Sequence, residues 1–342
     1  FTAGFTATVT NEGTGCGSAA GYASFYEVSA AGMQDLVGTK LTGTWNGTGY
    51  DITSAPGAGF GVPVGATELV GLGDDVVEDL AAFGGTLGLY AGSNCWLANG
   101  PGNSNQWAPS AALALANPSA GVYAWTDLQP NDVGSGQVWY DEVGTVGRLT
   151  YDGVYGWGTT DANTVQLTYD TASGDFTIEI SSIGAGNPQD QLVGFSPSGA
   201  SNDPGSMDIS AATPFAVLGA DVQDLQLTAV GTPIQGAAPV NFDVTTSNIP
   251  AGTLSHLAIL GLAAPALPLD GIGMPGCFLN AGADFLNLEI GVGGSGSHTW
   301  TALVIPDTGS IGVLSGFAFN VQAATFGTSV NSFLGLGALT SN

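Results

Sequence analysis

Between Thr164 and Ile180 the chain alternates apolar and polar residues twice, on either side of a short polar turn. Val165, Leu167 and Tyr169 take alternate positions, Asp170-Thr171-Ala172-Ser173-Gly174 reverses the chain, and Phe176, Ile178 and Ile180 alternate again. A period of two belongs to strands with one buried face, so the segment predicts a β-hairpin. Related patterns run through Phe1 to Thr10, Leu41 to Ile52, Gly121 to Thr126, Gln137 to Asp141, Leu225 to Val230, Asn241 to Thr245, Thr299 to Ile305 and Phe317 to Ala323. Helical periodicity is scarce: Asp74 to Phe83 has room for a turn or two, and then runs into strand-like Thr86 to Tyr90.

The 55 glycines disfavour helix and permit tight turns. Short strands between clusters of Gly, Pro, Asn and Asp predict an all-β chain of two sandwich-like or jelly-roll-like domains in tandem. At 342 residues the chain is long enough for two full cores. The polar stretch Ser196 to Pro214 marks the boundary, giving expected domains of residues 1–212 and 213–342.

Lys40 and Arg148 are the only cationic side chains against 28 Asp and Glu, a formal net charge of −26. Salt-bridge networks therefore cannot organise this fold, and most carboxylates must cap turns, face solvent or hold metal ions. Phosphate backbones and anionic lipid surfaces are gripped by Lys and Arg, so neither nucleic acid nor an anionic membrane is an expected partner. Trypsin-like proteases find at most two sites, which suits a protein exposed outside the cell. No apolar run reaches the length of a membrane span, and a start at Phe1 without Met suggests a removed signal peptide. The expected location is extracellular or at the cell surface. In an oxidising compartment three cysteines allow one disulfide. The expected pair is Cys16 with Cys95, both early in the chain, leaving Cys277 as a buried thiol or an intermolecular link.

Three stretches resemble the nidogen-like module of extracellular proteins. They are Leu89 to Leu97 with its Ser93-Asn94, Val122 to Pro130 followed by Gly136 to Tyr140, and Ala162 to Gln166 leading into the hairpin. The resemblance covers about residues 70 to 182 and departs from the family pattern at Cys95, where glycine is usual, and at Val165, where an aromatic is usual. Ala23 to Val28, Met274 to Leu279, Leu303 to Pro306 and Phe319 to Ala323 are similar to landmarks of secreted multi-domain proteins of planctomycete-type bacteria. These resemblances imply β-modules, an extracellular compartment and a part in adhesion or assembly; they bring no catalytic residues.

Catalysis finds little footing in the side chains themselves. The only candidate histidine bases are His256, in the apolar run Thr253 to Leu257, and His298, in a Gly/Ser turn, and no Gly-x-Ser-x-Gly is present. Carboxylates for a glycosidase exist at Asp74, Asp75, Glu78, Asp79, Asp127, Asp141 and Glu142, although adjacent loop carboxylates are usually solvated. The chain is expected to be non-enzymatic and to require no cofactor. Calcium is the ion that surplus acid would take, because hard cations want six to eight oxygens. The expected ligands are Asp127, Asn131, Asp132 and Asp141, clustered around one strand-turn-strand region, while Asp74 and Asp75 sit in another turn; solvated or turn-capping roles are the alternative. Among the aromatics from Trp125 to Trp157, Tyr155 and Trp157 in a Gly-rich turn are the candidates for stacking on a glycan, against core packing. Asn46-Gly47-Thr48 is a formal N-glycosylation sequon.

In Phe1 to Thr10 the odd positions are mostly apolar and the even ones mostly threonine. It reads as the first strand of a sandwich or as a donor strand to a neighbouring copy, with Phe1, Phe5 and Val9 filling the neighbour's pockets. The leading functional expectation is an extracellular structural subunit that assembles with copies of itself into a filament, tube or surface layer. Adhesion to cell-surface glycans is the alternative, and a glycosidase ranks behind both.

Overall fold

A computed structural model describes residues 5–6, 8–10, 15–16, 21–184, 186, 188–197, 199, 201–230, 234–235, 239–250, 253–274, 277–290, 296–305, 318–327 and 338–341. The chain is all-β, with antiparallel sheets throughout the described residues. It divides into two compact units: Tyr22–Asp221, and a second unit made of Phe1–Gly21 with Val222–Asn342. The expected break near residue 212 therefore moves. Beyond it, Phe215–Leu218 still pairs with Gly49–Pro56, and Leu218 N–H donates to the Tyr22 carbonyl. The first 21 residues group with the second unit, not the first.

In Tyr22–Asp221 an eight-stranded sheet runs in the order Phe215–Leu218, Gly49–Pro56, Thr39–Trp45, Phe176–Ser182, Ala162–Asp170, Val146–Tyr155, Gln137–Val143, Thr67–Glu68. The expected hairpin lies at its centre, with Val165 opposite Ile180, Leu167 opposite Ile178 and Tyr169 opposite Phe176. Asp170 closes its turn by accepting from Ala172 N–H, and Gly174 takes φ +83°, which a residue without Cβ adopts freely. A six-stranded sheet runs Phe25–Ser29, Gln191–Ser196, Gly121–Trp125, Trp96–Ala98, Tyr90–Gly92, Val77–Asp79.

The two sheets share one core, in which Leu41, Leu167 and Phe176 meet Phe25, Val122 and Phe195. Phe176 stacks on Phe195 with ring centroids 4.4 Å apart, joining one sheet to the other. The far face of the six-stranded sheet is also covered. Tyr123, Trp125 and Trp96 pack there with Ala114 and Leu115 of the helix Ala111–Ala116. That explains why all of Gly121–Trp125 is buried and why its alternation is blurred. The helix itself is an Ala/Leu run started by Ser110, whose Oγ accepts from Leu113 N–H. Both cations sit on the eight-stranded sheet, each facing an acid on the next strand: Lys40 opposite Glu179, and Arg148 opposite Asp141.

The second unit holds a three-stranded sheet, Gln226–Val230, Val240–Ser247, Ser297–Ile305, and a four-stranded one, Phe285–Ile290, Ser255–Gly261, Asn320–Phe326, Ala338–Thr340. Phe242, Val244 and Trp300 of the first pack on Ala258 of the second. A further cluster gathers Cys16, Leu225, Ile249, Met274, Cys277 and Leu339. Here the expected disulfide is corrected: Cys16 bonds Cys277, and Cys95 is the free, buried cysteine. Cys16 N–H donates to the Thr340 carbonyl, which places this early residue among late strands, whereas Cys95 is sealed in a turn of the other unit. Nearness in sequence misled because the first 21 residues fold with the second unit.

No described helix is long and apolar enough to cross a membrane.

Candidate functional site

Three loops of Tyr22–Asp221 converge at one end of the six-stranded sheet. Asp74 and Asp75 form the turn that leads into Val77–Asp79, with Asp75 in the left-handed region at φ +50°, a conformation that Asp tolerates better than most residues. Ser93, Asn94 and Cys95 make the tight turn between Tyr90–Gly92 and Trp96–Ala98. Asp127 lies just beyond Gly121–Trp125.

Asn94, fully buried, ties these loops together. Its Nδ2 donates to Asp75 Oδ1 at 2.7 Å and to the Gln106 carbonyl at 3.2 Å, while its Oδ1 accepts from Leu128 N–H at 2.9 Å. Asn105 supports the turn from behind. Its Oδ1 accepts from Trp96 Nε1 at 2.7 Å and from Asn94 N–H, and its Nδ2 donates to Ser93 Oγ and to the Val76 carbonyl. Ordered amide side chains of this kind satisfy buried backbone groups that the strands leave over.

The result is a trio of carboxylates, Asp74, Asp75 and Asp127, that can each offer an oxygen within 4.8 Å of the others. Asp127 is 2% exposed, and its Oδ1 is buried without a hydrogen-bond partner, as is Asp74 Oδ1. Burial first, and then repulsion from Asp74 and Asp75, pushes the Asp127 carboxyl up to about 7. Asp74 is raised as well, by burial and then by Asp75.

The expected calcium quartet is corrected accordingly. Asp127 is the one member at this site. Asp141 is held by Arg148, whose Nε and Nη2 bond its two oxygens at 2.9 and 2.5 Å. Asp132 bonds the backbone of Val133, and Asn131 is exposed. The acid that joins Asp127 comes from Asp74 and Asp75, about fifty residues earlier in the chain. Sequence spacing alone had no way to pair them.

Of the glycan-stacking pair, Trp157 is 48% exposed and Tyr155 half-buried; Trp157 N–H donates to the Asp127 carbonyl at 3.0 Å. Trp125 is fully buried, as core packing requires. Of the three N-terminal assembly residues, Phe1 lies outside the described residues, Phe5 pairs with Gln235 of the same chain, and Val9 is exposed.

In the second unit the two histidines meet, with ring centroids 5.2 Å apart. His256, fully buried, shares a 2.9 Å hydrogen bond between Nε2 and Thr246 Oγ1, which also accepts from Trp300 Nε1 at 3.0 Å. Its Nδ1 has no partner. Burial, and then His298, lowers its pKa to about 4, against a smaller opposing pull from Glu289. His298 stands in the strand Ser297–Ile305, not in a turn, with Nε2 2.5 Å from Glu289 Oε2.

The same unit exposes an apolar edge. Phe285–Ile290 is the outer strand of its sheet, with Ser255–Gly261 on one side and no strand on the other among the described residues. Leu286, Leu288 and Ile290 share one face and are 58%, 57% and 84% exposed. Phe285, on the opposite face, is also exposed.

Compared with family models, with curated proteins and with solved structures, the chain matches none.

Proposed function

We propose that the chain is a non-catalytic extracellular structural protein whose copies join through sheet edges of the unit containing Val222–Asn342. The observation that carries this reading is the strand Phe285–Ile290, an outer edge with three large apolar side chains aligned on one exposed face. Unpaired edges of this kind are templates for pairing with another chain, and proteins that stay monomeric blunt them with lysine, proline or bulges. This strand has none of the first two, and its one charge, Glu289, already lies against His298.

The partner in this reading is an edge of the three-stranded sheet of the same unit, Gln226–Val230, which exposes Val230. Pairing Phe285–Ile290 of one copy with Gln226–Val230 of the next is a heterologous contact, and repeated it extends an open filament. A charge of −26 on every copy opposes that growth until salt or bound cations screen it. The disulfide and the lack of lysine and arginine outside two positions fit a protein that works outside the cell.

Electron microscopy with sedimentation velocity tests the reading. Filaments or sheets that lengthen with salt support it, and dispersed particles under every salt and calcium condition overturn it. Adhesion to glycans is favoured by one feature, the exposed Trp157 beside Asp127. Retention on a glycan array that Trp157→Ala abolishes would establish that second reading in its place.

A further inference from the structure

Asp74, Asp75 and Asp127 bring three carboxylates together in a chain that has almost nothing with which to neutralise them. Lys40 faces Glu179 at 3.9 Å and Arg148 is held by Asp141, so both cations in the whole sequence stand with other acids. Three like charges at such range repel strongly once water is excluded. Hydrogen bonds reach two of the three, from Asn94 Nδ2 to Asp75 and from the Asp75 backbone to Asp74, whereas buried Oδ1 atoms of Asp127 and Asp74 have no donor. A carboxylate that is 98% buried and unbonded is costly unless something else supplies positive charge.

The loops that carry these acids are held by amide side chains, Asp75 through its own carboxylate. Asn94 clamps the Asp75 turn to the backbone of Leu128, the residue after Asp127, and Asn105 holds the Asn94 turn against the strands. The cluster is thus built in advance, and its oxygens do not depend on one another for their positions. Carboxylate oxygens alone, without imidazole or thiolate, suit a hard cation.

We propose that Asp74, Asp75 and Asp127 form a binding site for a hard divalent cation of the calcium class, with Asn94 as the residue that positions it. Main-chain oxygens and water complete the shell that three side chains leave open. The site stands on observations separate from the edge strand, and edge pairing can fail while cation binding holds.

The test is isothermal titration of the whole chelator-treated chain with calcium chloride and, in parallel, magnesium chloride, together with the melting midpoint in each. A dissociation constant on the order of 10⁻⁴–10⁻³ M is expected for calcium, the range of extracellular modules. Asp127→Asn should weaken binding at least thirtyfold, and Asp132→Asn, outside the trio, should leave it unchanged. Asp127→Asn removes a charge from a crowded place, so in chelator its midpoint should equal or exceed that of the parent, which separates lost binding from lost folding. No heat and no midpoint shift with either cation up to 10 mM (about ten times the weakest expected constant) overturns the proposal. So does binding that survives undiminished in both Asp127→Asn and the Asp74→Asn/Asp75→Asn double variant.

Discussion

In Tyr22–Asp221 the buried polar side chains around the sheet end are amides and a hydroxyl, Ser93, Asn94 and Asn105, bonded to one another and to backbone, with an unbonded acid at their rim. In the other unit the buried polar centre is an imidazole, His256, sharing a threonine with Trp300, and the covalent tie is Cys16–Cys277. One unit holds a group that prefers to gain a proton or a cation, and the other a group that prefers to stay neutral by losing one. Buried ionisable groups therefore set opposite responses to solution conditions within one chain.

The sharpest separation should come from reduction. Breaking Cys16–Cys277, which are 261 residues apart, should destabilise the second unit by about 3–5 kcal/mol and leave Tyr22–Asp221 nearly unchanged. Two resolved transitions in urea, only one of which shifts with reductant, are the expected outcome. A common shift of both would dissolve the contrast between the units.

Acid should divide them by sign. His256, lowered to about 4, binds its proton more readily unfolded than folded. The second unit then keeps its full stability above about pH 6.5 and loses about 3 kcal/mol as the pH falls towards 4. His298 lies beside that ring, and Glu289 beside His298. In chelator Asp127 slopes the other way: raised to about 7, it favours the protonated form when folded. Tyr22–Asp221 accordingly loses stability as the pH rises from about 4 to about 7. Parallel pH dependence of the two transitions would break the comparison.

A smaller, local effect is expected from Asn94→Ala, about 2 kcal/mol confined to Tyr22–Asp221, because the Leu128 N–H loses its buried acceptor. Weakened calcium binding should accompany it if Asn94 positions the acids. Smallest of all, Leu288→Lys should change the stability of the isolated chain by less than about 0.5 kcal/mol, as an exposed site. The same substitution should abolish salt-promoted growth in sedimentation, and growth that persists would remove Phe285–Ile290 from the joint.

Much of the architecture was legible because alternation reports burial on one face. Val165, Leu167, Phe176 and Ile178 point into one core, and their pattern said so. Gly121–Trp125 was harder, since a sheet covered on both sides erases alternation, and Ala111–Ala116 escaped notice because six residues are too few for helical periodicity to emerge. The site was half legible. Asp127 was singled out, but its partners Asp74 and Asp75 reach it only through the Asn94 turn, a long-range contact that local spacing does not encode. The same limit misplaced the disulfide, because nothing near Cys16 announces that its neighbours are Cys277 and Thr340.

The bond between Cys16 and Cys277 closes a covalent ring around all of Tyr22–Asp221, and both Lys40 and Arg148 lie inside it. A single tryptic cut opens that ring without parting the molecule, so a nicked chain keeps its mass on a non-reducing gel. Only two cuts cross the threshold. The segment then freed of every covalent tie is 41–148, and it is the one that carries Asp74, Asp75 and Asp127 together.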